Sequence, residues 1–254
     1  MIRLDPPDED GRTGGSMRIV AREGQSVTMG LFRDDGVECR FAEVHGPSID
    51  LLADLKGVHH DLRFTIGLCV AGMGVADSIA ASDSDVPPET PMLMYGAWNS
   101  AVISYARCFG TGVRLSLKAH DVPERAREFH DYVLDLRNKH IAHSVNDHEV
   151  GTVAALVDSN PDSDIPIRGI VELLSHRYDV SAEAWDGLGS LATAVLNIVN
   201  RKIEAVRIAA EQELAAIPIQ KVLEAPDLEW TLGGPGSATR SRPTHAKRRR
   251  QTPE

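Results

Sequence analysis

The stretch that decides the reading of this chain is Glu128–Ser144, EFHDYVLDLRNKHIAHS. At roughly 100° per residue, Phe129, Tyr132, Val133 and Leu136 fall on one apolar stripe, the pattern of an amphipathic helix that packs against others. One turn further on, the stripe meets His140 and His143 in place of leucines, with Arg137 on its flank. Such groups are expensive to bury without partners. They are therefore either satisfied inside a core or line a cleft.

The same three-four spacing recurs on both sides of this stretch. Ser48, with Asp50 close behind, reads as the N-cap of a helix over 48–80 that carries Leu52, Leu55, His59, Leu62, Ile66, Cys69 and Met73 and is loosened by Gly67, Gly72 and Gly74. Pro91 suits the first turn of a second helix over 91–109, with Tyr95, Trp98, Val102, Tyr105 and Phe109 on its seam. Pro123 opens the helix over 123–143. Ser181 caps a fourth over 181–216, through Trp185, Leu188, Leu191, Val195, Ile198, Lys202 and Val206, which Pro218 stops. Four apolar stripes are buried most simply against one another, so the expected fold is mainly α, a four-helix bundle.

Two β pieces accompany the helices. Residues 17–45 hold short, partly alternating runs broken by Gly24 and by Asp35-Gly36, and predict a small antiparallel meander. Val150–Val157 predicts a strand, and Ile165–Leu174 a second strand or a short helix, so a hairpin over about 148–174 interrupts the helical domain of 46–217. Residues 1–16 and 218–254, rich in Gly, Pro, Ser and charge, are expected to be disordered.

Of 254 residues, 42% are hydrophobic and 25% charged, which fits a soluble globular chain with a sizeable core. The net charge of −10 is uneven: the last fifteen residues carry +5, leaving −15 on the remainder. An acidic body is not the footprint of a duplex DNA binder, and the basic tail reads as a solubilising end or a nucleic-acid contact. Cys39, Cys69 and Cys108 are widely spaced, without a metal-type pattern, which points to a reducing, cytoplasmic setting. No apolar run reaches the unbroken ~18 residues of a membrane span, the nearest being Phe64–Val75, so no membrane partner is expected.

The helix end Arg137-Asn138-Lys139-His140-Ile141-Ala142-His143 resembles the signature of HEPN domains, helical bundles common in toxin–antitoxin, abortive-infection and CRISPR-linked systems. In that pattern an arginine and its polar follower precede a histidine by several positions; Arg137, Asn138 and His143 take those places. The preceding helix with His130 and Asp131, and the run from Trp98 to Arg107, add to the likeness, which covers about 48–144. The resemblance implies metal-independent RNA cleavage, without a cofactor, at a cleft shared by two subunits, and an antitoxin or other protein partner.

The chemistry stands on its own terms. Attack of a 2′-hydroxyl on the neighbouring phosphate needs a base and a proton for the leaving oxygen, which a histidine supplies near neutrality. An arginine holds phosphate oxygens and the charge that builds on them. Arg137 is thus the expected phosphate ligand and His143 the general acid or base. Asn138 is the orienting residue, and His140 a second proton donor or a core histidine. Lys139 and Arg107 are expected substrate-binding cations. Arg137 and His143, six residues apart, flank the helix seam about 120° from one another, so they converge on one phosphate only across a groove, such as a homodimer makes by setting this helix against its copy.

Two rival readings remain. One is a non-catalytic module of the same fold that binds nucleotide or a protein, which the acidic body favours. The other is a metal phosphohydrolase built on His59-His60-Asp61, although adjacent helical residues point about 100° apart. The internal glycines lack the Lys-Ser/Thr ending of a phosphate loop, and no serine or cysteine sits in a nucleophile elbow.

Overall fold

The computed structural model describes residues 2–3, 16–21, 26–32, 38–82, 86–87, 89–110, 115–141, 149–160, 167–176, 181–226 and 229–231. In chain order the elements are β1 (Ile2–Arg3), β2 (Ser16–Ala21), β3 (Ser26–Phe32), β4 (Glu38–Arg40), α1 (Pro47–Ala80), α2 (Thr90–Arg107), α3 (Arg127–Leu136), β5 (Glu149–Val157), β6 (Ile167–His176), α4 (Ala182–Ala216), α5 (Ile219–Glu224) and β7 (Glu229–Thr231). Short 3-10 turns at Ala119–Asp121 and Glu124–Ala126 lead into α3, and a π turn, Arg137–Ile141, ends it. The described chain is mainly helical. It divides into two compact units, residues 1–53 with 204–254 and residues 54–203, with boundaries that fall inside α1 and α4.

The first unit holds an antiparallel sheet in the order β1-β2-β3-β4, with β7 also on β3. The register sets Met17, Ile19 and Ala21 opposite Leu31, Met29 and Val27, matching the alternation of the sequence. β4 and β7 divide the other edge of β3, at residues 30–32 and 26–28. The segment expected to be a loose end from 218 onward thus carries a helix and a strand, since Val27 pairs with Trp230. Ile2–Arg3, in the other expected loose end, pairs with β2 as well, while residues 1, 4–15, 227–228 and 232–254 lie outside the described residues.

The start of α1 differs from the sequence expectation. Pro47 takes the first helical position, where its missing N–H costs nothing. Ser48 is inside the helix, and its amide donates to Glu213 Oε2 at 2.7 Å. A carboxylate of α4, 165 residues away, therefore does what a side-chain cap would do. Gly46 leaves room beside it, and a Cβ there would displace the Glu213 carboxylate from this position. Asp50, in the first turn, accepts from His45 Nδ1 at 3.1 Å.

In the second unit four helices meet. Trp185 of α4 is fully buried, packs edge-to-face on Trp98 of α2 with ring centroids 5.0 Å apart, and lies over Gly72 of α1. Thr65 of α1 donates to Ala101 O of α2 at 3.3 Å. Phe129 of α3 reaches Gly187 of α4. The buried side of α1 is Leu55, Val58, Leu62, Thr65, Cys69 and Gly72. That is the predicted seam turned by one position: His59, Ile66 and Met73 are only half-buried. Burial pushes the Cys69 thiol up to about 12, so it is packed and inert rather than reactive.

By length and composition α1 is the one helix among the described residues that could cross a membrane, with a mean hydropathy of 1.4 over its most apolar window, of which 22% is buried. The run Phe64–Val75 is short and interrupted by Gly67, Gly72 and Gly74, and only as an average over a longer window does the helix reach this hydropathy.

β5 and β6 form a two-stranded antiparallel sheet, the hairpin expected after the third helix. Ile167–His176 resolves the strand-or-helix alternative in favour of strand. Arg168 is an extra residue in β6, because Leu156 pairs with Gly169 and Val157 with Ile167.

Candidate functional site

The face that α3 buries is His130, Val133 and Leu136. Tyr132, expected on the stripe, is 42% exposed and stacks on half-buried Phe129. His130 takes the buried place because it has partners. Its Nδ1 lies 2.8 Å from the Tyr105 hydroxyl on α2, and its ring meets Phe109 edge-on at 4.4 Å. Burial lowers the His130 pKa, against an opposing pull from Asp131, and burial raises that of Tyr105. Both groups are neutral near pH 7, and one hydrogen bond satisfies them. This pair fixes α3 on α2 and so sets where the helix end lies.

That end is a π turn over Arg137–Ile141, packed beside α2. With α-helical pairing, Leu136 would pass its place on the seam to His140. With i→i+5 pairing the place falls to Ile141, which is half-buried. The wider turn thus supplies the seam with an apolar residue that the sequence holds one position later. The polar residues are displaced outward: Arg137, Asn138 and Lys139 are all exposed. Arg137, expected on the flank of the seam and lining a cleft, is thus an exposed side chain. The side chain of His140 and all of His143 lie outside the described residues.

Arg137 and Asn138 are joined directly, Arg137 Nη1 donating to Asn138 Oδ1 at 2.9 Å. An amide oxygen therefore holds the guanidinium, and a neutral acceptor leaves its charge uncompensated at that contact. Lys139 is tied to Asp135 one turn back at 2.8 Å. Arg107, the other expected substrate cation, lies 3.7 Å from the buried carboxylate of Asp61. Both are thus partly neutralised, Lys139 by a neighbour one turn away and Arg107 by a carboxylate distant in sequence.

His59, His60 and Asp61 diverge around α1: half-buried, exposed and buried respectively. Among the described residues no group of three or more His, Cys, Asp or Glu side chains converges as a metal site would require. The His59 pKa is lowered by burial, then by Lys56, Arg63 and His60.

A groove of about 450 Å³ lies between α1 and α4, lined by Ile66, Val70 and Met73 on one side, by Ser190 and Thr193 on the other, and by Arg125. Trp185 contributes to its wall, and the buried Trp185 Nε1 has no hydrogen-bond partner. None of Arg107, Arg137, Asn138 or Lys139 lines this groove.

His130 was missed as the organising polar residue. Its signal was present in the sequence: it stands three residues before Val133, in phase with Val133 and Leu136. No protein-family model, no curated protein and no solved structure matches the chain.

Proposed function

We propose that the chain is a HEPN-like ribonuclease that cleaves RNA without a metal, with Arg137 as the phosphate ligand and His143 as the general acid or base. The observation that carries the reading is the π turn over the arginine motif. π turns inside or at the end of α-helices mark functional positions more often than chance. Here the turn exposes Arg137, held by Asn138, on a helix anchored in a four-helix unit. An exposed guanidinium fixed by a neutral amide is suited to a phosphate, since among the described residues no carboxylate is paired with it. His143 follows two residues beyond the turn, and in this reading it meets the phosphate held by Arg137 across the groove of a homodimer.

The non-catalytic alternative, a module of the same fold binding nucleotide or protein, is favoured by one observation. Lys139 and Arg107 each face a carboxylate, on a chain of net charge −10, which weakens the field that would draw in RNA. The test uses the full chain as wild type, Arg137→Ala and His143→Ala, incubated with RNA in EDTA. Cleavage by the wild type alone supports the nuclease. No cleavage by any form, with binding of a nucleotide that Arg137→Ala abolishes, supports the module. Cleavage that EDTA prevents excludes both.

A further inference from the structure

We propose that the groove between α1 and α4 binds a small monocarboxylate with an unbranched apolar body, its head group on Arg125 and its chain along α1. The inference does not rest on the reading of Arg137, which lies outside this groove.

The floor of the groove belongs to the core. α1 and α4 approach each other over glycines at two places. The Trp185 ring lies on Gly72, and Cys69 Cβ stands 3.2 Å from where a Cβ of Gly189 would be. Trp185 is fully buried and packs edge-on to Trp98. The space above this floor is therefore set by core packing rather than by loops. It measures about 450 Å³, within the roughly 300–1,000 Å³ of small-molecule sites.

The two walls differ. Ile66, Val70 and Met73 of α1 recur at four- and three-residue spacing and make an apolar strip about 10 Å long. Ser190, Thr193 and Asn197 recur at three- and four-residue spacing on α4 and are polar. An apolar strip facing a polar one suits an amphiphile lying lengthwise between the helices.

Charge selects the head group. Arg125 lines the groove, and among the described residues its guanidinium has no hydrogen bond or ion pair. Arg107, Lys139, Arg168, Lys202 and Arg207 each face a carboxylate. On a chain of net charge −10, Arg125 is thus a cation without a carboxylate at the mouth of a groove. A guanidinium takes a carboxylate through two parallel N–H groups. The carboxylate of Asp186 also lines the groove and opposes a second negative group on the guest, which disfavours phosphates, nucleotides and dicarboxylates.

Trp185 adds a donor. Its buried Nε1 has no partner among the described residues, and its ring lines the groove. Buried donors in folded proteins are nearly always paired. An oxygen entering past the flexible, half-buried side chain of Met73 pairs this one. A carboxylate has acceptor sites for both donors, and the long, exposed side chain of Arg125 can follow it inward.

The test is calorimetric titration of the full chain with octanoate, with octanol and with inorganic phosphate. Octanoate is expected to bind about tenfold or more tighter than octanol, and phosphate not to bind. Arg125→Gln should remove the preference for octanoate with unchanged far-UV circular dichroism. Arg127→Gln, equally exposed but outside the groove, should keep it. In the ¹⁵N-labelled wild type, octanoate should shift the Trp185 indole N–H resonance, assigned by its own through-bond correlations. No binding of octanoate, equal affinity for octanol, tighter binding of phosphate, a preference that survives Arg125→Gln or is lost equally to Arg127→Gln, or an unmoved Trp185 resonance would each overturn the proposal.

Discussion

α3 and the β5–β6 hairpin put their residues in opposite places. α3 buries an imidazole and leaves Tyr132 in solvent, whereas the hairpin leaves valines and isoleucines in solvent. Hydrophobicity alone would order these sites the other way. The difference lies in partners. His130 has a hydroxyl at 2.8 Å and two aromatic rings, so its burial leaves nothing unpaired. Val153, Val157, Ile167 and Ile170 of the hairpin meet no comparable partner among the described residues and stay in solvent. Where a polar residue sits on an apolar stripe, the question is thus what meets it; where an apolar face is bare, the question is what covers it.

The largest effect expected on the buried side of this contrast is at Trp185. Replacing it with alanine empties a fully buried site against α1 and α2 and should cost about 3–5 kcal/mol, read by urea denaturation. Gly72→Ala probes the same contact from the other side. A Cβ at Gly72 would stand 2.4–2.6 Å from the indole, so the ring must move, at about 1–3 kcal/mol. A neutral Gly72→Ala would mean that α1 and α4 are not packed as described.

Next in size is the His130–Tyr105 pair itself. Tyr105→Phe leaves the buried ring nitrogen unpaired and should cost about 1–3 kcal/mol, part of which the double variant with His130→Leu recovers. The pH dependence has a definite sign. Burial lowers the folded pKa of His130, so the unfolded chain takes up the proton first. The stability is fully present above the unfolded value of about 6.5 and is lost as pH falls from there toward the folded pKa. His130→Leu should flatten that loss as pH falls below neutral, leaving the slope due to His59. An unchanged pH profile would place His130 in contact with water.

These contrasts also show what was legible in the chain. The four helices follow from three-four spacing because each packs an apolar seam on its neighbours, and α4 begins one residue from its expected start. The hairpin and the meander follow from β-branched runs between turn residues. What could not be read has a common physical origin in partners distant in sequence. The cap of α1 comes from Glu213, the third partner of β3 from Glu229–Thr231, and the burial of His130 from Tyr105. The π turn belongs to the same class. Ideal α-helical phase carries the stripe of α3 into histidines, and only packing beside α2 makes the wider turn, with Ile141 inward, the better solution. The candidate site was therefore legible as a motif but not as a geometry. Arg137 was legible, while its exposure and the carboxylate of Asp61 beside Arg107 were not.

A smaller effect is expected at Asp121, where the loop before α3 meets α4. Burial alone would raise its carboxyl. Hydrogen bonds from Lys202, at 2.5 Å, and from the Lys118 amide, together with the charges of Lys202 and His120, outweigh this and hold it below the ordinary carboxylate range. Lys202 is itself 41% exposed, so solvent screening limits the pair, and Lys202→Met should cost about 1 kcal/mol at neutral pH. The stability from a lowered carboxylate is present above the unfolded pKa of about 3.9 and is lost as pH falls through the folded one. The gap between wild type and variant should therefore close on acidification below about pH 4, measured by denaturation at a series of pH values. A gap that persists in acid would assign the effect to lost packing of the lysine stem instead.

The smallest effect on stability is expected where the proposed effect on function is largest. Arg137 is exposed, and the described hydrogen bond of its guanidinium goes to the adjacent Asn138. Arg137→Ala should therefore shift the unfolding free energy by no more than about 0.5 kcal/mol. Lys139→Ala, which breaks an exposed pair one helical turn long, should shift it by about 0.3–0.5 kcal/mol. The two substitutions separate on RNA. Arg137→Ala removes a bidentate donor and should abolish cleavage, whereas Lys139, already held by Asp135, should lower it only modestly and more so at low salt. Had the arginine been placed for structure, the order would reverse: Arg137→Ala would destabilise the helix end, and its loss of activity would follow its loss of folding. A variant that folds as the wild type does and no longer cleaves leaves the guanidinium no role except toward the phosphate.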